Sequence, residues 1–315
     1  MKRTFLFTAL VALLVATSCA DPTTTSTKIN IPERQNWDNR IPLFGDVESV
    51  TVYGYNLIEK DGETVREKDG GQKEVYKFNQ KGDVDEFFVY ENDGSRLFRE
   101  TYKYDSQGNI TEETYYGSDN SLGSKTLYKY DLQGNKIEEV NYESNGSQSY
   151  KTLYEYDSQG NMIKKESYFT YSRSMYTYEY DSQGNKIEEV HYDGDGSLDS
   201  RRTYKYDSQG NMIEEARYDG DGSFDSKKVF KYDLRGNTIE EARYNGDGSL
   251  RQKATFKRNS QGQFVEAVGY APNGLIMGKS ICKLDSQGNM VEVFNYEGVD
   301  TKPTSVTVRE VVYRK

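Results

Sequence analysis

An all-β fold, an antiparallel β-meander of short strands, is what this sequence predicts, on three observations. The pentapeptide Asp105-Ser106-Gln107-Gly108-Asn109 follows Tyr104 and returns with its glycine at 134, 160, 184, 210, 236, 262 and 288, with a looser copy at Gly82. The spacing is 26 residues at every step but that from Gly160 to Gly184, which is 24. A fixed period of this size marks a repeat architecture. Between the turn-forming clusters, residues alternate with the period-2 pattern of half-buried strands. Beyond the N-terminus no stretch sustains a helical period.

Each turn follows from local chemistry. Asp opening a turn and Gly closing it is the signature of a type I turn followed by a residue at positive φ. Gly108 takes that conformation at no steric cost, so Asp105 faces Asn109 across a hairpin. A second turn lies midway, clearest as Asp193-Gly194-Asp195-Gly196-Ser197 and Asp219-Gly220-Asp221-Gly222-Ser223. Each ~26-residue repeat is therefore two strands and two turns. Counting outward from Asp219 opposite Ser223 sets Glu215 against Lys227. The same count sets Glu113 against Lys125, Glu139 against Lys151, Glu189 against Arg201 and Glu241 against Lys253. All are of opposite sign, as facing residues on a sheet prefer.

Alternation then places Tyr204, Tyr206, Met212, Ala216, Tyr218, Phe224 and Phe230 on one face. Lys205, Ile213, Glu215, Arg217, Asp225, Lys227 and Val229 fall on the other. The aromatic face must be hidden from water, so a meander of roughly eighteen to twenty strands is expected as a curled ribbon or partial shell, not a flat sheet.

Taken in order, residues 1–18 read as a secretory leader, with Met1-Lys2-Arg3 as its basic start and an apolar run from Phe5 to Val15. That run is too short to span a bilayer as a helix. It ends in Ala16-Thr17-Ser18-Cys19, which resembles the lipobox of bacterial lipoproteins, and the resemblance implies lipidation of Cys19. The alternative is an ordinary leader followed by a chance Cys. Ala20 lacks the Asp that retains some lipoproteins at the inner membrane, so outer-membrane lipid is the expected partner, with the side it faces left open. Residues 19–45 form a Thr-rich tether whose Trp37, the only Trp, is expected to pack on the first strand, with a ligand role as second reading. Residues 46–315 are expected as a single β-repeat domain. Within it 46–72 are an N-terminal cap, 73–297 the repeats and 298–315 a C-terminal cap strand built on Val306, Val308 and Val312.

Composition narrows the chemistry. The net charge is −10, and loss of Lys2 and Arg3 with the leader leaves −12. An acidic surface without a basic block argues against nucleic acid. The single His, His191, is expected as a solvated residue on the charged face, with no triad to build on it. Cys282 is expected as a small buried apolar residue. Acid pairs such as Glu138-Glu139 and Glu214-Glu215 recur with the repeat, whereas a catalytic pair is needed once, so no enzyme is expected. The Asp193-x-Asp195-x-Ser197-x-Asp199 spacing is similar to the start of a calcium loop but has Tyr204 where the bidentate Glu belongs, so no metal or cofactor is expected. Glu and Lys on both faces of most strands argue against a lipid-facing barrel.

One unit breaks the pattern. Its second turn is shortened to Tyr168-Phe169-Thr170-Tyr171-Ser172-Arg173-Ser174-Met175-Tyr176, where neighbouring tips are Gly, Asp, Asn or Ser. Tyr168, Phe169, Tyr171, Arg173 and Tyr176 are the candidate contact residues for a glycan or protein partner. The competing reading is a local deletion whose aromatics pack on adjacent strands.

The unit Tyr-x-Tyr-Asp-x-x-Gly-Asn, matched at Asp105, Asp131, Asp157, Asp181, Asp207 and Asp233, resembles the YD repeats of Rhs-type proteins. The match weakens at Arg258-Asn259 and Leu284-Asp285. The resemblance covers roughly 73–297 and implies a long β-meander curling into a shell, with carbohydrate or protein binding linked to the repeat. The conserved core segment and variable toxic domain of Rhs toxins have no counterpart in the repeats, which run almost to Lys315, so toxin delivery is not implied. The units are also similar to MORN-like hairpin repeats, which are scaffolds, so the likeness does not choose a function.

Overall fold

The computed structural model describes residues 43–315. Every regular element among them is a strand. The first five are β1 (Val47–Lys60), β2 (Glu63–Lys68), β3 (Lys73–Phe78), β4 (Val84–Tyr90) and β5 (Arg96–Tyr104). Then come β6 (Ile110–Gly117), β7 (Leu122–Tyr130), β8 (Lys136–Glu143), β9 (Gln148–Tyr156), β10 (Met162–Phe169) and β11 (Arg173–Tyr180). They continue as β12 (Lys186–Tyr192), β13 (Leu198–Tyr206), β14 (Met212–Asp219), β15 (Phe224–Tyr232) and β16 (Thr238–Asn245). The last are β17 (Leu250–Arg258), β18 (Phe264–Tyr270), β19 (Ile276–Leu284), β20 (Met290–Glu297) and β21 (Ser305–Tyr313). The described pairings are all antiparallel and join strands adjacent in sequence, except that β1 also pairs with β3 and with β21. The fold is thus the expected all-β antiparallel meander. Its two expected cap strands, β1 and β21, are hydrogen-bonded to each other. The leader, Cys19, Trp37 and the tether as far as residue 42 lie outside the described residues.

The pentapeptide turns form as their residues dictate. The Asp207 amide donates to the Asn211 carbonyl at 2.9 Å and that of Gly210 to the Asp207 carbonyl at 3.1 Å. Asp207 Oδ1 accepts from the amides of Gln209 and Asn211, each at 2.9 Å, and Oδ2 from Asn211 Nδ2 at 2.9 Å. Gly210 sits at φ 82°, where a Cβ would be strained. The same set recurs at Asp105, Asp131, Asp157 and Asp181. The midway turns close likewise, with the Asp219 amide donating to the Ser223 carbonyl at 2.9 Å.

The register differs from the straight count, because the hairpins closed by the Gly-containing midway turns carry a β-bulge. Tyr218 pairs with Phe224 but Arg217 with Ser226, leaving Asp225 as an extra residue. Glu215 therefore faces Lys228, and Lys227 faces Ala216. The same shift sets Glu113 against Thr126, Glu139 against Thr152 and Glu189 against Arg202. The expected partners instead hold the preceding acid: Lys151 lies 2.7 Å from Glu138, Arg201 3.1 Å from Glu188 and Lys227 3.6 Å from Glu214.

A second bulge follows the pentapeptide in every described pairing across it. Tyr206 pairs with Met212 but Lys205 with Glu214, so Ile213 is extra and the alternation slips by one. Glu215 then lies opposite Tyr204 on the tyrosine face, and Tyr218 opposite Arg201 on the charged face. The acid pair of each repeat is split between the two faces.

The described chain divides into two compact units, one holding residues 43–99 with 232–241 and 252–315, the other holding 100–231 and 242–251. In the first, the face that carries tyrosines elsewhere is a true apolar core. Ala254, Phe256, Phe264, Ala267, Cys282, Met290 and Val293 cluster there, with Leu284 against them. Ala267 and Val293 stand where other repeats place a glutamate, so no carboxylate enters this cluster. Tyr76 stacks on Phe87 with ring centroids 4.6 Å apart, adding a second apolar patch near Val50 and Val84. In the second unit the equivalent face is a network of tyrosines and glutamates.

Candidate functional site

The shortened hairpin joins β10 to β11. The Phe169 amide donates to the Ser172 carbonyl at 2.9 Å, so Thr170 and Tyr171 alone form the loop. Neither takes a positive φ, which explains how a tip without glycine closes. Tyr171 projects from it 98 % exposed, Phe169 is 48 % exposed and Tyr168 38 %. Tyr168 pairs with Arg173 on the charged face, where the guanidinium carbon sits 5.8 Å from the ring centroid. Glu166 anchors this corner by pairing with Arg173 and with Lys164 at 3.0 Å. Burial would raise the Glu166 carboxyl, but Lys164, Tyr168 and Arg173 hold it below the usual range.

The five candidate residues do not converge. Phe169 belongs to the tyrosine face and touches the Tyr150 ring at 5.9 Å. Tyr176 is on the same face but several residues from the tip, stacked on His191 at 4.2 Å and 13°. Tyr168 and Arg173 occupy the charged face and Tyr171 the tip, so a surface formed by Tyr168, Phe169, Tyr171 and Arg173 is what the hairpin offers. His191 is on the tyrosine face, because the bulge moves it off the charged one. Its Nδ1 shares a 2.7 Å hydrogen bond with Asp199, while its Nε2 is buried without a hydrogen-bond partner. That bond helps hold the Asp199 carboxyl below its usual range.

The tyrosine face of the second unit is electrostatically closed. Glu139 accepts from Tyr150 at 2.7 Å and Tyr154 at 3.0 Å, with Lys136 at 3.2 Å. Lys136 also lies over the rings of Tyr128 and Tyr154, at 5.3 and 4.9 Å from their centroids. Lys186 repeats the arrangement over Tyr178 and Tyr204, at 5.4 and 4.7 Å. Desolvation pushes Glu189 up, but Lys186 at 2.7 Å and Arg202 at 2.9 Å win and keep it ionised below the usual range. Tyr178 and Tyr204 are pushed up by burial and by the Glu189 charge, and Tyr130 rises to about 12 for the same reason of burial, helped by Asp105. These tyrosines stay neutral donors. The sequence signal for this network was the residue after each Gly-Asn: Lys136 and Lys186 stand where other repeats carry Met162 or Met212.

Other sequence motifs resolve into turn chemistry. Asp195 Oδ1 accepts from the Ser197 amide at 2.9 Å, and Asp199 is engaged by His191. Among the described residues no group of three or more His, Cys, Asp or Glu is arranged to hold a metal. Cys282 is buried and free.

No protein-family model matches the chain, and no curated protein does. Similar solved structures include the Photorhabdus luminescens Tc holotoxin pore, at 16 % identity over 77 % of this chain and 15 % of that one, with a TM-score of 0.32. TcdB2-TccC3 without its hypervariable C-terminal region is similar at 14 % identity over 83 % of this chain and 16 % of that one, TM-score 0.33. A porin-like protein from Bacteroides uniformis is similar at 9 % identity over 86 % of this chain and 99 % of that one, TM-score 0.37. This chain spans about 15 % of the length of the toxin chain in that pore. These likenesses carry no functional argument.

Proposed function

We propose that this is a non-catalytic, YD-type repeat protein, held to outer-membrane lipid of the cell envelope through Cys19, that binds a glycan or protein partner at the β10–β11 tip. The observation that carries this reading is the exposure of Tyr168, Phe169 and Tyr171 beside Arg173. Rings left in water at one hairpin alone among the described residues release it on meeting the apolar face of a sugar or a protein surface, and the neighbouring cation adds to that attraction. The Ala16-Thr17-Ser18-Cys19 sequence supports the address.

The test is an array of envelope glycans and proteins probed with the purified chain and with a Phe169→Ser/Tyr171→Ser double variant. Saturable binding is expected, weakened at least about tenfold in the variant, as loss of an aromatic anchor gives. No saturable binding by the unaltered chain overturns the reading. A Cys19→Ala chain is expected to leave the membrane fraction.

A second reading, a scaffold or spacer without a specific ligand, is favoured by the neutralised acids of the second unit, where Glu138, Glu189 and Glu214 are each held by two cations. It calls for assembly that the double variant does not alter, measured by light scattering.

A further inference from the structure

Beside the first strand of the first unit lies a pocket of about 280 Å³. Val47 and Phe78, 5 % and 7 % exposed, form its apolar floor, and Leu43 lines it as well. Asp46 and Lys81 stand at the polar lip. The described chain begins at this place. Phe44 is fixed there by Asn289, whose Oδ1 accepts from the Phe44 amide at 2.6 Å and whose Nδ2 donates to its carbonyl at 2.8 Å. Leu43, the residue before it, is thereby held at the pocket wall.

We propose that this pocket is the docking site of the chain's own N-terminal segment, and that its occupant is the indole of Trp37. Trp37 lies six positions before Leu43, a reach of at most about 20 Å, so the ring can reach this pocket but not distant ones. The chemistry matches an indole. An aromatic floor residue, Phe78, offers ring contact, and the Asp46 carboxylate can accept the indole N–H that a buried Trp must satisfy. Lys81 supplies a cation at the ring face. The consequence concerns the anchor. With Trp37 docked, the free tether from Cys19 is cut from 24 residues to 18, which shortens its maximum reach from about 80 to about 60 Å.

Trp37 is the only Trp, so the full purified chain reports on it directly by selectively excited fluorescence. The expected result is blue-shifted emission and acrylamide quenching several-fold weaker than in the same chain unfolded. Emission and quenching equal to those of the unfolded chain overturn the proposal. Phe78→Ala is expected to shift the emission to the red, but removing a buried ring can unfold the first strands. Lys81→Glu, at the exposed lip, avoids that difficulty. With circular dichroism unchanged, it is expected to lower quenching by iodide and raise quenching by caesium, because the local charge beside the indole is reversed. Unaltered preference between the two quenchers also overturns the proposal.

Discussion

Asp207 shows how one carboxylate closes a hairpin: its two oxygens gather two amides and one side-chain amide of the same five residues. These hydrogen bonds favour the charged form, so the carboxyl is held below its usual range, as it is at Asp105, Asp131, Asp157, Asp181 and Asp233. The sign of the pH dependence follows. A carboxyl with a depressed folded-state pKa contributes its full stabilisation above the unfolded value near 3.9, and loses it as pH falls towards the folded value. Since the shift repeats along the chain, the losses accumulate. The melting temperature is expected to be level between about pH 5 and 7 and to fall steeply below about pH 4, steeply enough that an Asp157→Asn/Asp207→Asn chain shows a visibly shallower acid limb. This much was legible from residues alone, because a turn is settled by five neighbours in sequence. His191 was not. Its place beside Tyr176 depends on an extra residue, Ile187, two positions after the preceding turn, and nothing about a histidine announces that.

Strands are where the reading by alternation slipped, and the bulges are the physical reason. A period-2 pattern assumes that each residue on one strand meets one on the next, whereas Ile213 and Asp225 each add an unmatched residue. Lys227 and Glu215 still share a hairpin, but the one-residue shift exchanges the faces of the two acids, sending Glu214 to the lysines and Glu215 to the tyrosines. Cysteines introduced at Glu215 and Lys228 should cross-link on mild oxidation, since facing residues bring their Cα atoms within disulfide range. The pair at Glu215 and Lys227 should not, and equal cross-linking of both would return the straight register. The charged face also has a flaw that the register exposes. Lys129 meets Glu138 at 2.6 Å and Lys205 meets Glu214 at 2.7 Å, and one unit reverses the signs, with Glu155 3.2 Å from Lys164. In β11 and β12, however, Glu179 faces Glu188, like charge on like. Glu179→Lys is expected to restore the rung and stabilise the chain by up to about 1 kcal/mol, more at low salt than at high, as thermal melts at two ionic strengths would report. The candidate tip was legible as an oddity of composition, but which face each ring takes was not, because the bulge between Met162 and Lys164 sends Tyr168 to the charged face and Phe169 to the tyrosine face.

For the molecule as a whole, the question is what holds the two ends of a meander whose strands otherwise pair only with sequence neighbours. β1 accepts β3 on one side and β21 on the other, so neither terminal strand is left as an open edge for another chain to pair with. The last pentapeptide is altered to serve this junction. At Asp207 the turn asparagine donates back to its own aspartate, but Asn289 turns its amide to the Phe44 carbonyl and to the Tyr313 hydroxyl at 2.6 Å, and Tyr313 in turn donates to Asp285. Asn289 is wholly buried. A single side chain thus ties the point where the chain enters its first strand to the final residue of its last. Replacing it by alanine leaves the Phe44 peptide group without its partners, a loss of about 1–3 kcal/mol. The melting temperature should fall by several degrees. The location of the effect decides the matter: hydrogen exchange should quicken at the start of β1 and along β21, while β10 to β13 keep their protection. An even loss of protection in every strand would mean that Asn289 supports packing generally and does not clasp the ends.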